Sequence, residues 1–153
     1  MKNLIKLLFF AGIIFLAAFS CDDEKNDPSE YKPIEIKKIT DFGCEDCSIK
    51  IKPEYNNDTF LLILNEEDLA ENIEYLIVKN LPPINFEKYF LIIGAKYYTT
   101  LVEIIKETAK ENDSEIIYTI DILVTDALSP SAIYFHAFIE KPQKEIYIYI
   151  EVI

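Results

Sequence analysis

The chain has 153 residues, 15 lysines and no arginine against 27 acids, a net charge of −12, half its residues apolar, three cysteines and one histidine. That length suits one ordinary domain, and the acidity with no guanidinium fork excludes nucleic acid as the expected partner. Three glycines, one of them Gly12 in an apolar run, cannot build a P-loop or a dinucleotide-binding turn, and His136 alone cannot supply a histidine-rich metal site or two-histidine catalysis.

Lys2 and Lys6 form a short positive region, and Leu7 to Phe19 is an uncharged apolar run of 13 residues. This pattern predicts a secretory signal peptide over residues 1–20. The run falls short of the roughly 20 apolar residues a membrane-crossing helix needs. Ala18-Phe19-Ser20 then leads into Cys21 and Asp22-Asp23-Glu24. This junction resembles the lipobox of bacterial lipoproteins, and the acids resemble the surface-export signal of Bacteroidota-type members. The resemblance implies that Cys21 becomes the first mature residue and carries diacylglycerol on its sulfur. It also implies an outer-membrane lipoprotein of the cell envelope, exposed at the surface or, alternatively, on the periplasmic face. The other reading is an ordinary secreted chain with Cys21 free or disulfide-bonded.

Residues 21–33 are polar, contain Pro28 and Pro33 and lack apolar periodicity. They are predicted to be an acidic tether with a reach of about 20 Å. A single β-rich domain is expected over residues 34–153.

Within it, strands are expected at Ile34–Thr40, Ser48–Lys52, Thr59–Leu64 and Tyr89–Ala95. One helix is predicted after Asn65, an N-cap followed by Glu66, Glu67 and Asp68, with Leu69, Ile73, Leu76 and Ile77 at helical spacing before Pro82-Pro83. Residues 101–111 carry both periods; a strand turning at Asn112-Asp113 is preferred. Alternation continues through Ile116–Val124, Ile133–Lys141 and Ile146–Ile153. The expected fold class is α+β, a mainly antiparallel β-sheet or sandwich with one short helix, because most connections are too short for crossover helices.

From Thr59 onward, Phe60-Leu61-Leu62-Ile63-Leu64-Asn65-Glu66-Glu67 reads as a strand entering a helix, and Pro83-Ile84-Asn85-Phe86 as the entry to a central strand. This order resembles the PrcB-like C-terminal domain, although Asn85 stands where that family has Asp and the family's Gly-Gly-Tyr survives only as a tyrosine. The resemblance implies a small α+β domain with a protein-binding or protease-stabilising role and transfers no catalytic residue.

Cys44 and Cys47 are spaced for a small disulfide loop, for a redox pair or for half a metal site. The disulfide is preferred, since Glu45 and Asp46 disfavour a thiolate and a strand follows. His136, between Tyr134 and Phe138 on one strand face, reads as a packed histidine before a catalytic base, since no nucleophile is marked nearby. Tyr147 and Tyr149, continued by Tyr134, His136 and Phe138, form a candidate aromatic binding face, with a covering second layer as the alternative.

No catalytic residue, cofactor or metal is assigned. The expected function is a non-enzymatic, membrane-anchored binding module for a protein or another envelope component. A thiol-disulfide protein using Cys44 and Cys47 and a glycan-binding surface lipoprotein are the alternatives. The sequence does not fix the oligomeric state.

Overall fold

Isoleucine and aromatic residues alternate along the C-terminal half, and a pleated backbone sends alternate side chains to opposite faces. The computed structural model describes residues 3–6, 30–44, 47–51, 58–75 and 82–153, with backbone alone for 3–6 and 74–75. Its strands are β1 (Asn3–Lys6), β2 (Lys32–Ile34), β3 (Ile49–Ile51), β4 (Thr59–Ile63), β5 (Ile73–Tyr75), β6 (Tyr89–Tyr98), β7 (Val102–Glu111), β8 (Glu115–Val124), β9 (Ser131–Glu140) and β10 (Tyr147–Val152). One helix, α1 (Glu66–Asn72), and a 3-10 turn over Ile39–Phe42 complete the set. The fold is mainly β with one short helix, as expected.

The strands make a mixed sheet in the order β1-β10-β8-β7-β2, an antiparallel sheet β4-β6-β9 and a small pair β3-β5. The β4-β6-β9 sheet is the middle layer. Phe90 and Ile92 of β6 and Ile133, Phe135, Ala137 and Ile139 of β9 face the mixed sheet, meeting Ile116, Tyr118, Ile120, Ile148 and Ile150. The intervening residues Leu91, Ile93, Ala95 and Phe138 face the other way, onto Ile39, Cys47, Ile49, Ile51, Leu69, Ile73, Ile84 and Phe86. Burial on both faces accounts for the unbroken run Phe90-Leu91-Ile92-Ile93, all inaccessible to solvent.

Gly94 lies where β6 passes closest to its neighbours. A Cβ there would stand 2.7 Å from the Thr59 carbonyl oxygen and also overlap the Phe135 ring, so the side chain must be hydrogen.

The sheets are mainly antiparallel, as expected, with one parallel pair, β10 beside β8. Between them the chain crosses to the middle layer as β9, and a path with one strand in the other layer returns in its original direction. Ile34–Thr40 is not one strand. Pairing stops at Ile34, Lys37 makes an isolated bridge to Phe138, and a 3-10 turn follows. Local chemistry explains the turn: the Asp41 carboxylate accepts the Lys38 N–H at 2.6 Å, and Gly43, at φ 90°, ends it in the left-handed region.

The helix begins as expected, with the Asn65 side chain accepting the Asp68 N–H at 2.8 Å, but it stops at Asn72. Ile73 instead pairs with Ile51 across β3 and β5 and is buried there; a β-branched residue gains more in that ladder than in another helical turn. The expected helical residues Leu76 and Ile77 lie outside the described residues. Residues 102–111 are the expected strand, and its turn is held by Asn112 Oδ1, which accepts the N–H groups of Ser114 at 2.8 Å and Glu115 at 2.9 Å. A bulge between Ile104 and Lys106 turns Ile105 outward.

Candidate binding surface

The expected aromatic face is divided by the fold. Tyr134, His136 and Phe138 lie on β9 in the middle layer, and their side of that strand is covered by the 3-10 turn and β3. Phe138 is fully buried, its ring centroid 4.8 Å from that of Phe42, and Lys50 Nζ sits 4.7 Å above the Tyr134 ring. Tyr147 and Tyr149 belong to β10 and face outward from the mixed sheet, away from both cores. These five residues therefore do not form one surface.

His136 is part of a network the sequence did not reveal. Its Nε2 accepts the Ile39 N–H at 3.1 Å, while the Lys38 ammonium donates to the His136 carbonyl oxygen and pairs with Glu107 Oε2 at 2.6 Å. The Tyr118 hydroxyl donates to the other Glu107 oxygen. Burial pushes the His136 imidazole down to about 4, helped by the Lys38 charge and opposed by Glu107 and Asp41. Burial and the Glu107 carboxylate raise Tyr118 far above the ordinary phenol range. His136 is thus a neutral acceptor whose Nε2 lone pair is already engaged. The network ties the 3-10 turn to β7, β8 and β9, with no lining residue in common with the cleft described below.

Cys44 and Cys47 lie at disulfide distance with Cα atoms 5.3 Å apart. Cys47 is 7% exposed within the second core, and its N–H donates to the Cys44 carbonyl at 3.3 Å. The pair follows the C-terminal end of the 3-10 turn, the end whose carbonyls disfavour a thiolate. Glu45, Asp46 and Cys21 lie outside the described residues. Among the described residues no group of three or more His, Cys, Asp or Glu side chains is placed to hold a metal, and no helix is long and apolar enough to cross a membrane.

The outer face of the mixed sheet is aromatic and acidic. Tyr31 crosses it, its hydroxyl donating to Glu115 and its ring lying 4.7 Å beneath Lys110 Nζ. The bond to Glu115, then burial and the nearby negative charges, raise the Tyr31 phenol above its ordinary value. Tyr149 aligns with Ile117 and Tyr147 with Glu115; Tyr147 is 42% exposed.

Five of the exposed large apolar side chains lie elsewhere, at one end of the β7-β8 hairpin. Leu101 precedes β7, Ile105 is the bulge residue, Leu123 and Val124 end β8, and Leu128, 92% exposed, lies in the loop beyond. This loop is tied to the hairpin: Leu101 N–H donates to the Ala127 carbonyl at 3.2 Å, and Thr125 N–H to the Leu101 carbonyl at 2.9 Å. The folded domain's N-terminal strand pairs at the far end, with Lys32 opposite Glu111. Nine residue steps along β7 separate that pair from Val102, about 30 Å along the strand. Isolated exposed leucines are ordinary; these five share one end of the hairpin, with Leu123 and Val124 on opposite faces of β8. The only local hint in the sequence is Leu128, an apolar residue within Asp126-Ala127-Leu128-Ser129-Pro130.

A cleft of about 910 Å³ opens at the Lys32 end between β2 and the β9-β10 connection, lined by residues including Lys32, Lys37, Glu111, Glu140 and Lys144. Several of its charges pair with each other, including Lys144 with Asp113 at 2.8 Å and Lys37 with Glu35 at 3.5 Å. No family model, curated protein or solved structure matches the chain.

Proposed function

We propose that this chain is a lipid-anchored binding module of the cell envelope whose partner is another protein, met through the apolar end of the β7-β8 hairpin. The observation that carries the reading is the exposure of Leu101, Ile105, Leu123, Val124 and Leu128 together, opposite the end where the tether enters. A tether fixed to lipid at Cys21 holds the Lys32 end toward the bilayer and leaves the apolar end facing other envelope components. Several acyl chains anchor stably where one gives only marginal binding. The resemblance to the PrcB-like domain points to the same class of role and rests on the residues quoted for it.

The test places a photo-crosslinking amino acid at Leu128 and, as a control, at Glu66 on α1, in cells making the full chain. A discrete adduct from position 128, lost with Leu123→Ser and absent from position 66, is expected. Equal labelling at both positions, or none at 128, overturns the protein-binding reading. Mass spectrometry of the same protein reports the anchor: the expected species begins at an acylated Cys21.

A glycan-binding reading draws on Tyr147 and Tyr149, half-exposed on an extended sheet face; a glycan array with wild type and Tyr147→Ala tests it. A thiol-disulfide role has less support, because Cys47 is buried within the second core.

A further inference from the structure

Strand β1, Asn3–Lys6, lies within the predicted leader and pairs antiparallel with β10: Asn3 opposite Ile150, Leu4 opposite Tyr149, Ile5 opposite Ile148 and Lys6 opposite Tyr147. On its other side β10 is bonded to β8, so this four-residue segment is what occupies the edge of the mixed sheet. Removal of residues 1–20 leaves a row of β10 N–H and C=O groups unpaired, and such an edge is a template for another strand. The opposite edge of the same sheet is β2, which pairs with Ala109, Lys110 and Glu111 of β7, and a bulge at Ile104/Lys106 interrupts the remainder of β7.

We propose that the β10 edge of the processed protein is a strand-docking site that takes an extended, lysine-bearing apolar segment of a partner protein by antiparallel β-augmentation. The inference rests on the leader-removal reading above, and it adds a second, distinct contact surface.

Three features fix the occupant. The edge accepts an antiparallel strand of at least four residues in a defined register, as this chain's own segment demonstrates. The register sets the pattern: incoming residues opposite Ile148 and Ile150 fall on the core side, positions held here by Ile5 and Asn3, so an apolar residue is called for opposite Ile148, whereas one opposite Tyr149 falls on the aromatic side. Charge selects against a second copy of this chain. Without its leader the chain loses two lysines and no acid, so 13 lysines stand against 27 acids, a net charge of −14. Glu151 lies on β10, with Glu145 just before it and Glu115 aligned with Tyr147. Two such edges brought together repel, while an approaching lysine is attracted.

The experiment compares the processed protein purified from membranes with the full unprocessed chain, obtained with signal-peptide cleavage blocked. The probe is a fluorescent peptide of residues 1–8, Met-Lys-Asn-Leu-Ile-Lys-Leu-Leu, followed by anisotropy. Binding to the processed form, with at least tenfold weaker binding to the unprocessed chain, is expected. Methylating alternate peptide amides on the hydrogen-bonding side should weaken binding at least tenfold, and replacing both lysines with glutamate should weaken it in a salt-dependent way. Failure of the peptide to bind processed protein whose thermal transition is intact overturns the proposal, as does binding unaffected by amide methylation. Sedimentation showing a stable dimer of processed protein that excludes the peptide overturns the choice of partner in favour of a second copy. Retention of residues 1–20 by the protein in cells, read by mass spectrometry, instead refutes the anchoring reading, while peptide binding to a chain shortened in the test tube still reports on the edge.

Discussion

Lowering the pH should destabilise this protein through His136 in a way that a single substitution removes. The imidazole is held at about 4 in the folded protein, against about 6.5 for an unfolded histidine. Between these values the unfolded chain binds the proton that the folded chain refuses, so stability rises with pH across that window and falls as pH drops through it. The stabilisation is complete above about pH 6.5. Linkage gives a loss of about 2 kcal/mol by pH 5 and about 3 kcal/mol by pH 4, with little further loss from this group below that. The physical cause is the packing of the ring beneath the 3-10 turn, where Nε2 already accepts the Ile39 N–H and the Lys38 ammonium is close. Urea titrations of wild type and His136→Asn at intervals from pH 7.5 to 4 isolate the effect, because carboxylate contributions are common to both. The variant starts less stable, and the two curves should converge by about 3 kcal/mol over that range. Parallel curves, or a His136 resonance titrating near pH 6.5 in the folded protein, would refute the reasoning.

Other perturbations test separate parts of the fold. Gly94→Ala forces a methyl group against the Thr59 carbonyl and the Phe135 ring and should destabilise the domain by about 1–3 kcal/mol, read as a lower urea midpoint at unchanged slope. Lys38→Met strands the Glu107 carboxylate beside Tyr118; the loss should be about 2 kcal/mol, below the 3–5 of a fully buried pair because Lys38 keeps some contact with water. Reducing Cys44 and Cys47 should lower stability by about 2 kcal/mol, the loop-closure value for so short a loop, seen as a midpoint shift on adding a phosphine reductant. Leu128→Ser should change thermal stability by less than about 0.5 kcal/mol, since the side chain is exposed, while reducing partner crosslinking at neighbouring positions.

The sequence was sufficient wherever a local rule had no competitor. Alternation in Ile116–Val124, Ile133–Lys141 and Ile146–Ile153 gives strands, Asn65 with three following acids starts the only helix among the described residues, and Asn112-Asp113 turns a hairpin. The Cys44 and Cys47 spacing likewise sufficed to bring the pair to disulfide distance. Period two, capping and turn chemistry act within a few residues, so they can be read from the chain directly. Where two local signals competed, as at Ile73, the decision came from a partner far away, and the helix yielded to pairing with Ile51. The binding face was misjudged for the same kind of reason. Alternation told which residues of β9 and β10 share a side, but not that the two strands belong to different layers, one side covered and the other open. The parallel β8-β10 pair, the exposed end around Leu128, and the ion pair of Lys38 with Glu107, 69 residues apart, exist only because distant segments meet. A one-dimensional pattern carries the identity of each face but not what packs against it, and exposure, charge pairing and shifted proton affinity all depend on the neighbour across the gap.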